Sequence, residues 1–226
     1  MNYQFQGFYE QTVDFLFGLR IHNNKAWFEE HRGDYQKYLL EPFKSLVIDL
    51  APVMQEIDPW LEVTPDVNKT ISRIYRDTRF SKDKSPFRDH LWLTFKRKRP
   101  DWQDAPAYFF ELTPESYRYG MGYYLASTET MEIFRKKLIE KPGQFLELTR
   151  FLYNNSEFAV EGEKYKKPKV LHENQAITDW CGWKYFFIVI NRTIDDQLFE
   201  TSLVQNIELG FRQLSPLYHF LWQLKK

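Results

Sequence analysis

The densest chemistry in the chain lies in the run Arg73-Ile-Tyr-Arg-Asp-Thr-Arg-Phe-Ser-Lys-Asp-Lys-Ser-Pro-Phe-Arg88. Guanidinium forks, ammonium groups, hydroxyls and backbone N–H groups can together hold phosphate or carboxylate through charge-assisted hydrogen bonds. The sequence therefore predicts an anion-binding loop built from Arg73, Arg76, Arg79, Ser81, Lys82, Lys84, Ser85 and Arg88. Its expected ligand is a phosphorylated small molecule. Asp77 is the first candidate for catalysis, because it can orient Arg73 or Arg79, or accept a proton from a bound substrate. A plainer reading competes: Arg–Asp pairs beside a strand end often only tether a loop, and exposed pairs contribute little.

Charge along the chain favours the sharper reading. Lysine plus arginine equals aspartate plus glutamate, 31 of each, so the net charge is zero. From Lys69 to Arg99, however, eleven basic residues face only Asp77, Asp83 and Asp89, which makes that segment +8 and the remainder −8. Such asymmetry points to an anionic partner.

Other candidates carry less. In Tyr117-Arg-Tyr-Gly-Met-Gly-Tyr-Tyr124, read as a strand, Gly120 and Gly122 share a face and leave bare backbone. Another chain or a ligand can approach there closely, and the alternative, a bulge or a packed helix without ligand, is favoured. Lys96-Arg-Lys-Arg99, followed by Trp102, pairs cations with an aromatic ring as nucleic-acid binders do. The patch is short and the chain as a whole neutral, which argues against nucleic acid and for a solvated hairpin tip. The five histidines lack metal-ligand spacing and Cys181 is the single cysteine, so neither a metal nor a cofactor is expected. Cys181, between Trp180 and Trp183, reads as buried filler. Phosphate-loop, dinucleotide-binding and Gly-x-Ser-x-Gly patterns are absent.

Positioning these residues requires a folded scaffold, and the composition supplies one. Aromatic residues make up 18% of the 226 residues, enough ring area to fill a core. One cysteine allows no internal disulfide, which fits a reducing compartment. Met1 to Glu10 shows no basic region followed by an apolar stretch, and the longest apolar run, Tyr185 to Ile190, is far short of a membrane span. A cytoplasmic location without membrane contact is expected.

Apolar residues at 8, 12–13, 15–16 and 19 follow a helical period, and Asn24 can cap a helix starting at Lys25. Pro42 suits the first turn of a further helix that Pro52 should kink or divide. The period then becomes two. Ile71 to Asp77, Leu91 to Lys98, Ala107 to Leu112 and Tyr117 to Tyr124 read as an antiparallel meander. Helices return after Ser127, with Pro142 separating two of them. Glu161 to Pro168 reads as an exposed connection and Tyr185 to Ile190 as a short buried strand. Asp195 should cap a long helix, and Ser215-Pro216 should start a terminal one. The expected fold is α+β: a mostly antiparallel sheet around residues 71–124 packed with N-terminal and C-terminal helices. With no linker or repeat, residues 1–226 read as a single domain.

The chain also resembles the uncharacterised family called domain of unknown function 2461. The similarity is carried by Leu19, Asn23-Asn24, Trp27-Phe28, Tyr35, Arg73-Ile74, the run Arg76 to Pro86, Gly120-Met-Gly122 and Leu214-Ser-Pro216-Leu217. The resemblance implies one α+β domain of this length and brings no catalytic residue with it. One departure stands out: after Lys166-Lys167-Pro168 this chain has Lys169-Val170-Leu171-His172 where the family usually has a Gly-aromatic turn. Two further classes of function stay open. One is a protein-interaction module with no small-molecule site; the other is nucleic-acid binding through Arg73 to Arg99.

Overall fold

A computed structural model describes residues 4–154 and 156–225. The architecture is α+β, 48% helical, with one five-stranded antiparallel sheet and helices before and after it in the chain. Helix α1 spans Glu10–Ile21. Asn24 then accepts the Trp27 N–H at 3.0 Å and starts α2, Lys25–Glu30, because an N-cap oxygen satisfies a donor the helix cannot. A short α3, Arg32–Asp34, leads into one π-helical stretch, Tyr35–Leu40, and then α4, Glu41–Ile57. Pro42 lies in the first turn of α4, as expected. Pro52 does not divide it: Leu46, Val47, Leu50, Val53, Met54 and Ile57 form one buried stripe across the proline.

Strands β1 (Leu91–Phe95), β2 (Pro106–Leu112) and β3 (Ser116–Tyr123) follow one another as the expected meander. Helices α5 (Thr128–Glu140) and α6 (Pro142–Thr149) come next, with Ser127 capping α5 and Pro142 opening α6. Strand β4 (Phe158–Lys164), helix α7 (Gln175–Cys181), strand β5 (Trp183–Thr193) and helix α8 (Ser202–Trp222) complete the chain. The sheet order is β1-β2-β3-β5-β4.

Four local expectations are corrected. Ile71 to Asp77 is not a regular strand; it makes isolated bridges, Ile71 to Leu93 and Tyr75 to Phe87. Strand β4 (Phe158–Lys164) takes in Glu161 to Lys164, the first part of the expected exposed connection Glu161 to Pro168. Its register runs from Phe158 opposite Ile190 to Lys164 opposite Trp183, with an irregularity at Glu163/Lys164. An outermost strand rich in Glu and Lys is how sheets discourage pairing with other chains, and that composition imitates a loop. Asp195 does not cap a long helix; its carboxylate accepts the Tyr117 hydroxyl at 2.9 Å. Finally, α8 runs through Pro216 unbroken. Buried Leu214 and Leu217 flank the proline, and their packing outweighs the lost hydrogen bond.

Two compact units account for the contacts. One comprises residues 1–95, 109–119 and 192–209, the other residues 96–108, 120–191 and 210–226. In the first, Phe8 stands between Phe5, Phe43 and Phe110, with ring centroids 5.1–5.7 Å away. In the second, Tyr108 meets Phe211 and Tyr218 at 4.9 and 5.0 Å, while Phe134, Phe145, Trp180 and Phe186 form a second cluster. Each fully buried ring of this size contributes about 1.5–3 kcal/mol by leaving water. Among the described residues, no helix is long and apolar enough to cross a membrane.

Candidate functional site

The segment from Arg73 to Arg88 folds back on itself. Arg76 N–H donates to Pro86 O at 2.9 Å and Arg88 N–H to Ile74 O at 2.8 Å, on either side of the Tyr75–Phe87 bridge. In such a bridge the amide and carbonyl of the central residue point away from the partner. For Phe87 they point to Asn23, whose Nδ2 donates to Phe87 O and whose Oδ1 accepts Phe87 N–H, both at 3.0 Å. The connection between α1 and α2 thereby grips the base of the loop. Phe87 stacks on Phe28 with centroids 4.3 Å apart, and Tyr75 packs edge-on to Phe28 at 5.7 Å. Arg20 adds a bond from Nε to Asp89 at 2.5 Å.

Within this frame the eight predicted ligand-binding residues divide into two sets. Arg76 pairs with Asp83. Ser85 donates its hydroxyl to Asp83 at 2.6 Å, and Lys84 reaches Thr78 O at 2.9 Å. Arg88 Nη1 bonds the Arg73 and Tyr75 carbonyls at 2.7 and 2.5 Å. These four residues shape the loop. Arg73 and Lys82 are exposed, and their side chains make no hydrogen bond or ion pair among the described residues. Arg79 is exposed too, but it is bonded to Asp77 through Nε at 3.0 Å and Nη2 at 2.7 Å. Ser81 is half-buried.

Asp77 is engaged from two sides. The Arg79 side chain and then its backbone N–H hold the carboxyl down at about 2, below its ordinary 3.8. Asp83 sits at about 2 as well, lowered first by the Ser85 hydroxyl, then by the Ser85 N–H and by Arg76. A general base works best with a pKa near the operating pH. The bonds from Arg79 tether this part of the loop, the plainer of the roles the sequence allows Asp77.

The other sequence candidates find structural partners. A Cβ on Gly120 would lie 2.0 Å from Ile188 O, and one on Gly122 would lie 2.5 Å from Phe186 O. The bare face of β3 is filled by the β5 backbone. Lys96 lies 3.7 Å over Trp102, while Arg97 and Arg99 lie 4.1 and 5.4 Å from the Trp222 ring. Three cations of the expected solvated tip thus rest on indoles. Cys181 is buried, and desolvation pushes its thiol up. The sequence reading missed Asn23 as a grip on the loop. The signal was present, because Asn23 stands beside a proper cap, Asn24, and so had no helix terminus of its own to serve.

No curated protein matches the chain. A family model does, over residues 11–220, and the chain belongs to that family, described as conserved hypothetical protein (DUF2461).

Proposed function

We propose that the protein binds an anionic, phosphate-bearing small molecule through the 73–88 loop, in a cytoplasmic setting. Arg73, Arg79, Ser81 and Lys82 contact the ligand; Arg76, Lys84, Ser85 and Arg88 hold the loop in shape. One observation carries the reading: among the described residues the exposed side chains of Arg73 and Lys82 make no hydrogen bond or ion pair, Arg73 acting on Asp77 only through its charge, on a loop whose other cations are already engaged. Arg79 joins them at low cost, since an exposed ion pair contributes little and a phosphate can replace Asp77 on its fork. No catalytic step is part of the proposal.

Thermal shift with inorganic phosphate, pyrophosphate, nucleotides and sugar phosphates tests it. At least one of them should raise the melting temperature in a concentration-dependent way. The Arg73→Ala/Lys82→Ala double variant should abolish that rise. If every compound leaves the wild type unmoved, the reading fails.

A second reading rests on Phe80. Its side chain is 93% exposed, with Arg79 5.7 Å from the ring centroid. An aromatic beside an arginine is the composition of an interaction hot spot, and it suits a protein partner. Phe80→Ser separates the two readings: it spares phosphate binding and removes a protein partner's binding.

A further inference from the structure

A cleft of about 390 Å³ lies within the second unit, between one face of α5 and the chain after β4. Glu132, Arg135, Lys136 and Ile139 share that face at helical spacing, and Tyr165 and Lys169 stand across from them. The volume suits a small organic molecule.

Arg135 is the unusual member. Its side chain is only 4% exposed, yet no carboxylate pairs with it among the described residues. Nε donates to Cys181 O at 3.0 Å and Nη2 to Trp183 O at 2.8 Å. Two of the five guanidinium protons are thereby placed on neutral carbonyls, which fixes the plane of the group. The remaining edge, made by Nη1 and the second Nη2 proton, is the end-on fork that fits two oxygens of one anion. Nη1 has no hydrogen-bond partner among the described residues, and the residue lines the cleft. A buried charge without a counter-ion is costly to keep, and an anion in the cleft would remove that cost.

The surroundings match. The Tyr165 ring gathers cations: Lys169 lies 4.6 Å from its centroid, and Arg135 and Lys184 each lie 5.4 Å from it. Lys184 is taken by Glu163, and Lys136 is 3.9 Å from Glu140. Lys169 has no acid of its own among the described residues. Three lining cations therefore face one lining carboxylate, Glu132. Ile139 and Val170 supply an apolar wall.

We propose that this cleft binds a small organic anion, a carboxylate or phosphate monoester, with its charged head on the Arg135 fork beside Lys169 and its apolar body against Ile139 and Val170. The site is separate from the 73–88 loop and does not rest on the function proposed for it.

Calorimetric titration of the full chain with benzoate, phenyl phosphate and uncharged benzyl alcohol tests the assignment. At least one of the two anions binds and the alcohol does not. Arg135 holds two carbonyls, so its removal can unfold the protein; exposed Lys169 gives the cleaner variant. Lys169→Glu weakens anion binding by roughly tenfold or more, the loss of one charge-assisted contact. Repeated in the Arg73→Ala/Lys82→Ala background, which removes any phosphate signal from the 73–88 loop, the titration shows the same loss on Lys169→Glu. Failure of both anions to bind at millimolar concentration overturns the proposal. Equal binding of the alcohol, indifference to Lys169→Glu, or disappearance of the Lys169-dependent binding in the loop double variant overturns it too.

Discussion

Asn23 does with a side-chain amide what a neighbouring strand would do with its backbone, accepting from and donating to Phe87 at 3.0 Å each. These bonds are partly buried, so removing the amide leaves a donor and an acceptor without partners. Asn23→Ala should cost about 2 kcal/mol, read as a lower denaturant midpoint at unchanged m-value. A loss below about 0.5 kcal/mol would mean that the grip is not made in solution. Asp77 and Asp83 make a second prediction. Both carboxyls are depressed from 3.8 to about 2 in the folded chain, so their contribution is present above pH 3.8. It is lost as pH falls from there through 2, because the unfolded state binds protons first. Carbon-13 titration of the two side chains should give midpoints near 2; midpoints near 3.8 would show the loop bonds to be absent. The chemistry of single residues was legible in the run from Arg73 to Arg88. What sequence alone does not carry is which cations are taken by loop partners, since Arg76 meets Asp83 seven residues on and Arg88 meets carbonyls fifteen and thirteen back.

Among the elements, those set by local rules were readable: the Asn24 and Ser127 caps, the prolines opening α4 and α6, and the alternating strands β1 to β3. Those decided by distant packing were not. β4 is recruited by its pairing with β5, and α8 survives Pro216 because buried leucines stand on both sides. The glycines of β3 give the sharpest test at this scale. Gly120→Ala places a methyl 2.0 Å from Ile188 O, backbone that cannot step aside, and should cost roughly 3 kcal/mol or more. Gly143→Ala, near the start of α6, meets nothing within 4 Å and should be neutral or stabilising by about 0.4–1 kcal/mol. Thermal melts of the two variants should move in opposite directions or by clearly different amounts. Equal shifts would contradict the close β3–β5 approach.

For the whole molecule, composition was enough to foresee a well-packed chain, because rings supply a large part of the buried core, and the change of hydrophobic period foretold α+β. It could not mark the two compact units, since each is assembled from three separate stretches and no linker joins them. Cys181 reports on the second unit. Buried and with its thiol pushed up by desolvation, it should react with iodoacetamide at pH 8 at least about 100-fold more slowly than free cysteine, until denaturant opens that unit. Fast labelling of the native chain would show that region to be open.

The separation of charge, +8 between Lys69 and Arg99 and −8 elsewhere, matters most at Arg73 and Lys82, whose exposed side chains make no hydrogen bond or ion pair among the described residues. Amide chemical-shift mapping with pyrophosphate looks there directly. Saturable shifts confined to Arg73 and to Arg79 through Lys82 are the expected result. Silence throughout residues 73–88 at millimolar pyrophosphate would contradict it.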